Sequence, residues 1–207
     1  MGREFTIAIT GHRPNRMHVG VPRIVRQIRR TLRPMVLSGR SLAVPMRPVA
    51  ISAMAEGSDR LFAVAALELY MPLRVLLPFP VAAYETTFGD AATTPHFRSL
   101  LAAAASVREL PGSLENSQAG YEAVGRACVD ECDVLIAVWD GKPAAGRGGT
   151  PEIIDYALSA AKPVLWIDAA ERRDVSLLLA NGATKVTRPV SAAALRGLVV
   201  EAGAHRR

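Results

Sequence analysis

Four acidic side chains, Glu56, Asp59, Asp140 and Glu152, stand in polar stretches that border apolar runs. A carboxylate in such a place can attack or stabilise an oxocarbenium-like centre, or exchange a proton with a leaving base. That is the chemistry of N-glycosidic cleavage, with His12 or Tyr84 available to assist. A second set is suited to binding. In Gly146-Arg147-Gly148-Gly149-Thr150 the glycines let backbone N–H groups approach a phosphate closely. Thr150 can cap the following helix or donate its hydroxyl to a phosphate, and Pro151 suits a first helical turn. The unpaired N–H groups of a helix start favour an anion there. The plain alternative is a surface loop with an ordinary cap. The motif lacks the Lys-Ser/Thr ending of a P-loop and does not open the first helix, as a dinucleotide glycine fingerprint would.

Two further clusters could reach the same ligand. Glu56-Gly57-Ser58-Asp59-Arg60 offers carboxylates that can hold ribose hydroxyls. Asp59 and Arg60 could equally pair with each other or favour a helix start, with Ser58 as its N-cap. Gly11-His12-Arg13 offers a bidentate arginine and an imidazole, with Arg16 and His18 adding positive potential. A polar turn is the competing reading, and its position after the first apolar run favours the functional one.

These residues need a frame that brings them together. Phe5–Thr10, Pro48–Ala53, Leu73–Leu77, Val107–Leu110, Cys132–Trp139 and Pro163–Asp168 read as strands, with a short strand near Lys185–Thr187. Helical patterns lie over Pro22 to about Leu37, where Pro34 threatens an early end, and over Leu61–Tyr70, 98–105, Ser117–Glu131, 151–161, 174–180 and 191–202. Strands alternating with helices predict an α/β chain: an open, doubly wound, mainly parallel sheet with helices on both faces, Rossmann-like. Such sheets bind ligands beyond the carboxyl ends of the strands, near the point where strand order reverses. The loops Gly11–Asn15, Glu56–Arg60, Pro78–Tyr84 and Asp140–Thr150 all follow strand ends.

At 207 residues, without a linker, repeat or low-complexity block, the chain reads as one nucleotide-binding domain, 1–207. No apolar run is long enough to span a bilayer, and the N-terminus lacks a signal-peptide pattern, so a cytoplasmic protein without membrane partners is expected. The net charge of +6 gathers in Arg23, Arg26, Arg29, Arg30 and Arg33 and in His205-Arg206-Arg207. Ile24, Val25, Ile28 and Leu32 place an apolar stripe in the arginine-rich stretch, so the arginines fall mostly on a solvated face. No aromatic is interleaved to stack on bases, which ranks a nucleic-acid surface behind a small-molecule site. Cys128 and Cys132 lack the second cysteine pair of a zinc site and read as buried thiols. Neither a metal nor a cofactor is expected.

Taken together, ITGHRP, AEGSDRL, LLPFP followed by Tyr84, and CDVLIAVWDG…GGTPEIIDYA resemble the SLOG superfamily over roughly residues 5–168. That Rossmann-like group includes LOG phosphoribohydrolases, DprA-like proteins and nucleotide-sensing domains. The resemblance implies a pocket for a nucleotide or nucleotide-derived small molecule. By motif it places Gly11, His12 and Arg13, Glu56, Gly57, Ser58 and Asp59, and Gly148, Gly149 and Thr150 in that pocket. LOG hydrolases resemble one another in PGGxGTxxE, and deoxyribosyltransferases in a related DG…GTxxE pattern. Here the glutamate position is Ile153, with Glu152 one residue earlier. One helical step turns a side chain by about 100°. Binding or sensing therefore ranks first, glycosidic cleavage or transfer second and a DprA-like DNA-binding module third. A homodimer stays open, with Val64–Leu69 and Ile153–Leu158 as apolar segments.

Overall fold

A computed structural model of the chain describes residues 3–43, 45–143, 148–170, 173–181 and 184–205. Gly146 and Arg147 of the glycine-rich loop lie outside the described residues, as do Arg206 and Arg207.

Six strands run parallel: β1 (Arg3–Gly11), β2 (Met46–Ser52), β3 (Leu73–Leu77), β4 (Ser106–Glu109), β5 (Val134–Trp139) and β6 (Val164–Asp168). Two antiparallel strands, β7 (Ser176–Asn181) and β8 (Thr184–Pro189), extend the sheet beyond β6. The order is β4-β3-β2-β1-β5-β6-β7-β8. The chain winds outward from β1 in one direction as far as β4, then crosses back to lay β5 on the other side of β1. The reversal between β1 and β5 is the switch point of this fold.

Strand β5 is buried along its whole length and β1 from Phe5 to Ile9, because both are largely apolar on both sides there. In β1, Phe5, Ile7 and Ile9 enter one core cluster and Ala8 the other. In β5, Val134, Ile136 and Val138 join the first, and Leu135, Ala137 and Trp139 the second. Helices α1 (Val21–Ser41), α2 (Ser58–Glu68) and α7 (Ala192–His205) cover the first face, with α3 (Val81–Glu85) and α4 (Thr94–Ala102) behind α2. Helices α5 (Ser117–Glu131) and α6 (Thr150–Ser159) cover the second. This is the open α/β arrangement that the alternating pattern predicts.

Several local expectations are corrected. Where a helix over 174–180 is expected, Ser176–Asn181 form a strand. The apolar run Leu177-Leu178-Leu179 is too short to select a period, and β7 takes the open edge of β6. Pro34 does not end α1, which continues to Ser41, because buried Ile28, Leu32, Met35 and Val36 hold both halves against the sheet. Ser58 is the first residue of α2, and Gly57 is its N-cap at φ +93°, a backbone conformation that suits glycine. Thr150 likewise opens α6, whose N-cap is Gly149. Ile153, Ile154 and Ala157 are spent in the core, which removes the 153–158 stripe as a self-association face.

Candidate functional site

A cleft of about 400 Å³ opens at the switch point, over the carboxyl ends of β1 and β2 and beside the start of α6, which follows β5. One wall is the turn after β1, from Gly11 to Arg16, and another is Gly148, Gly149 and Thr150 at the start of α6. Asp59 of α2 and Tyr84 of α3 line it, with Tyr121, Val124, Gly125 and Cys128 from α5 and Ile153 from α6.

Two loops interlock to form the first wall. Ser58 Oγ donates to the His12 carbonyl at 2.7 Å, and Ser58 N–H donates to the same oxygen at 3.2 Å. Gly11 must be small here: a Cβ on it would stand 2.6 Å from Ser58 Oγ and 2.9 Å from Val138 Cβ. Gly57 and Ser58 thus position the turn without lining the cleft themselves. On the opposite wall Gly148 has φ +74°, and a Cβ there would meet Glu122 N at 2.6 Å. The backbone of the phosphate-type loop therefore lies directly on α5.

The four acidic candidates have separate fates. Asp140, with its side chain 1% exposed, is enclosed by donors: His12 Nε2 at 2.8 Å, Arg16 Nη2 at 2.9 Å and Lys142 N–H at 3.1 Å. Burial alone would raise its pKa. The hydrogen bonds from His12, the Lys142 N–H and Arg16 outweigh that and hold the carboxyl at about 2. Burial lowers the pKa of His12, against the upward pull of Asp140, so the imidazole acts as a neutral strut between β1 and β5. Glu56 accepts from Gly89 N–H at 2.9 Å and from the Thr93 hydroxyl at 3.2 Å, with Arg13 3.8 Å away. It ties down the segment before α4 and does not line the cleft. Glu152 turns back to accept the Gly148 N–H at 2.6 Å, as an acid in a first helical turn does, and faces away from the cleft.

Asp59 is different. It is 4% exposed and lines the cleft. Among the described residues its carboxyl makes one long hydrogen bond, 3.4 Å from Ala55 N–H. Arg60 does not pair with it. That guanidinium lies over Phe88, 4.2 Å from the ring centroid, and donates to the Met54 and Thr93 carbonyls. Burial pushes Asp59 up to about 7, against the pull of the Ala55 N–H, Arg13 and Arg60. Burial, with the nearby Asp59 charge, also holds the Tyr84 phenol above its ordinary value. The thiol of Cys128 is pushed well up by the same cause and is not a nucleophile at neutral pH.

Of the residues singled out from the sequence, Gly11, His12, Arg13, Asp59, Gly148, Gly149 and Thr150 converge on one cleft. Sequence reasoning missed the contribution of α5. Its signal was the pair Gly120 and Gly125 inside a helical pattern, where a close neighbour is the usual reason for glycine. Among the described residues there is no group of three or more His, Cys, Asp or Glu side chains able to hold a metal. No described helix is long and apolar enough to cross a membrane.

No protein-family model matches the chain, and no curated protein matches it significantly. Solved structures do. DNA processing protein A (DprA) from Streptococcus pneumoniae superposes with a TM-score of 0.52 at 15% identity, over 79% of this chain and 50% of that one. DNA processing protein A from Helicobacter pylori, described for its single-stranded DNA binding mode, superposes with a TM-score of 0.51 at 19% identity, over 79% of this chain and 65% of that one. The chain thus spans half of the first protein's length and somewhat under two thirds of the second's. At these identities the likeness concerns the fold alone, an open Rossmann-like α/β sheet.

Proposed function

We propose, starting from this Rossmann-like fold, that the chain binds a nucleotide or nucleotide-derived ligand in the cleft at its switch point. One observation carries the reading: the turn after β1, the start of α2 and the Gly148–Thr150 turn all border a single cleft. Its volume of about 400 Å³ falls within the roughly 300–1,000 Å³ usual for small-molecule sites. The start of α6 brings the Thr150 hydroxyl and backbone N–H groups to one side, where a phosphate is favoured. Arg13, its side chain 41% exposed, stands on the other side, 3.8 Å from Glu56 and 5.9 Å from the Tyr121 ring centroid, and can offer a bidentate contact to an anion.

Binding takes precedence over glycosidic cleavage because three of the four acidic candidates are occupied outside the cleft and Ile153 fills the glutamate position. Titration calorimetry with AMP, ADP-ribose, NAD and cyclic nucleotides tests the reading. Binding by at least one, weakened about tenfold by Arg13→Ala, is expected; heat from none of them would end it. Incubation with nucleoside monophosphates, watching for free base, separates a binder from a hydrolase.

A second reading, single-stranded DNA, is supported by the binding mode described for the H. pylori protein and by exposed Arg26, Arg30 and Arg33 on one side of α1. Replacing all three with alanine would then lower DNA affinity and flatten its salt dependence.

A further inference from the structure

Tyr70 stands out from the fold in two ways. Its side chain is 87% exposed, more than any other large hydrophobic side chain among the described residues. Its backbone sits at φ +55°, a left-handed conformation that a bulky residue rarely takes. Tyr70 follows the last turn of α2: its N–H donates to the Leu67 carbonyl at 3.0 Å, and the Met71 N–H donates to that of Ala66 at 3.0 Å. Glycine or asparagine usually fills such a helix-ending position. An aromatic ring that adds little packing, on a backbone conformation that opposes it, points to a role outside the fold.

The ring is set beside a basic face. Arg29 donates to Glu68 at 2.7 and 2.8 Å, and Arg40 Nη2 donates to the Leu69 carbonyl at 3.2 Å. Two arginines of α1 thus hold the residues that lead into Tyr70. At about 100° per residue, Arg29, Arg40, Arg33, Arg26, Leu37 and Arg30 follow one another around α1 within an arc of about 100°. These arginines are all exposed, and so is Leu37. Helix α1 carries no acidic residue, and Arg26, Arg30 and Arg33 make no hydrogen bond or ion pair among the described residues. No aromatic is interleaved with the arginines in sequence, but the packing of α2 on α1 supplies one. Tyr70 and the end of α1 lie toward the amino ends of the strands, away from the cleft over their carboxyl ends.

We propose that this face is a second binding site, separate from the cleft, for single-stranded nucleic acid: the arginines of α1 take successive phosphates and Tyr70 stacks on an unpaired base. The inference takes up the arginines of the second reading above and deepens it, and it does not depend on the nucleotide cleft. The charge selects a polyanion and repels the same face of a second copy. The ring selects the single strand, because bases in a duplex stack on each other and offer no free face. Arginine holds phosphate in DNA and RNA alike, and every base has a face to stack on, so the site recognises the strand and not its sequence.

The test is fluorescence anisotropy on the full chain with labelled oligo-dT and oligo-U of about 15 nucleotides and a DNA duplex of the same length. Both single strands are expected to bind about fivefold or more tightly than the duplex, with affinity falling as salt rises at a log–log slope of about −2 to −3. Tyr70→Gly should weaken single-strand binding by about fivefold or more and leave duplex binding unchanged, whereas Tyr70→Phe keeps the ring and the affinity. Glycine suits φ +55°, so Tyr70→Gly should unfold at the wild-type temperature or above it, and its loss of binding is not a loss of folding. Replacing Arg26, Arg30 and Arg33 together with alanine should weaken single strand and duplex alike and flatten the salt dependence. Wild-type binding by Tyr70→Gly, or a duplex held as tightly as the single strands, overturns this inference and leaves the arginine surface of the second reading standing. Binding to phosphatidylserine vesicles and to no oligonucleotide assigns the face to a membrane and overturns both. Binding to neither also overturns both, and leaves the nucleotide cleft untouched.

Discussion

A Cβ on Gly125 would stand 2.4 Å from the Cδ1 of Ile153. The two residues meet where α5 packs on α6, and both line the cleft. The position three residues beyond Thr150 is therefore filled by an aliphatic chain seated against a neighbouring helix. The contact is tight enough to test. Gly125→Ala should cost about 1–3 kcal/mol through overpacking. Ile153→Ala should relieve most of that in the double variant, giving a coupling of about 1 kcal/mol or more. Urea unfolding followed by the fluorescence of Trp139 and Trp166 reads both values.

Asp140 should make the protein acid-sensitive. Its carboxyl is held at about 2 in the folded chain, against about 4 in an unfolded one. A depressed carboxyl contributes stability that is fully present above the unfolded value and is lost as pH falls through the folded one. Wild-type stability should therefore drop between about pH 4 and pH 2. Asp140→Ala should lower stability by about 3 kcal/mol at neutral pH and lose this acid dependence. Unfolding midpoints measured across that range decide the matter.

Asp59 should act with the opposite sign. Its proton is held to about pH 7 when folded and released near pH 4 when unfolded. A raised carboxyl leaves stability untouched below the unfolded value and lowers it progressively as pH rises toward the folded one. Asp59→Asn removes that loss. It should be neutral at pH 4 and stabilising by on the order of 2–4 kcal/mol at pH 8 in the absence of ligand. The same unfolding series, run on both variants, should show two aspartates, one lining the cleft and one outside it, pulling in opposite directions.

Thr150 and Glu152 separate binding from scaffolding at the start of α6. Thr150→Val keeps the backbone and removes the hydroxyl. It should weaken a phosphate-bearing ligand by about 1 kcal/mol, roughly fivefold, with stability nearly unchanged. Glu152→Ala removes the acceptor of the Gly148 N–H and should cost about 0.5–1 kcal/mol of stability. Calorimetry with the best nucleotide and urea unfolding together distinguish the two roles.

The sheet could be read from the chain because its strands are apolar on both faces: Val134–Trp139 admits little else. The turns that meet at the cleft could be read from polar and glycine residues placed just after those strands. What eluded sequence reasoning has a common physical cause. Glu56 and Asp59 look alike in AEGSDRL, yet the helix start that begins between them turns one toward Gly89 and Thr93 and the other into a recess. Asp140 looked like a reactive acid because the three donors around it come from the β1 turn and its own loop, up to 128 positions away. Leu177-Leu178-Leu179 fits either period, and only the vacant edge of β6 decided it.

The margins of the sheet bear on how two copies could meet. Both outermost strands, β4 and β8, are exposed along their whole length. Bare strand edges invite pairing with another chain, and charges or proline on them discourage it. Strand β8 carries Lys185, Arg188 and Pro189, and β4 carries Arg108 and Glu109. Both rims are thus guarded against continuation into a neighbour's sheet, and an encounter between copies is left to the helical flanks.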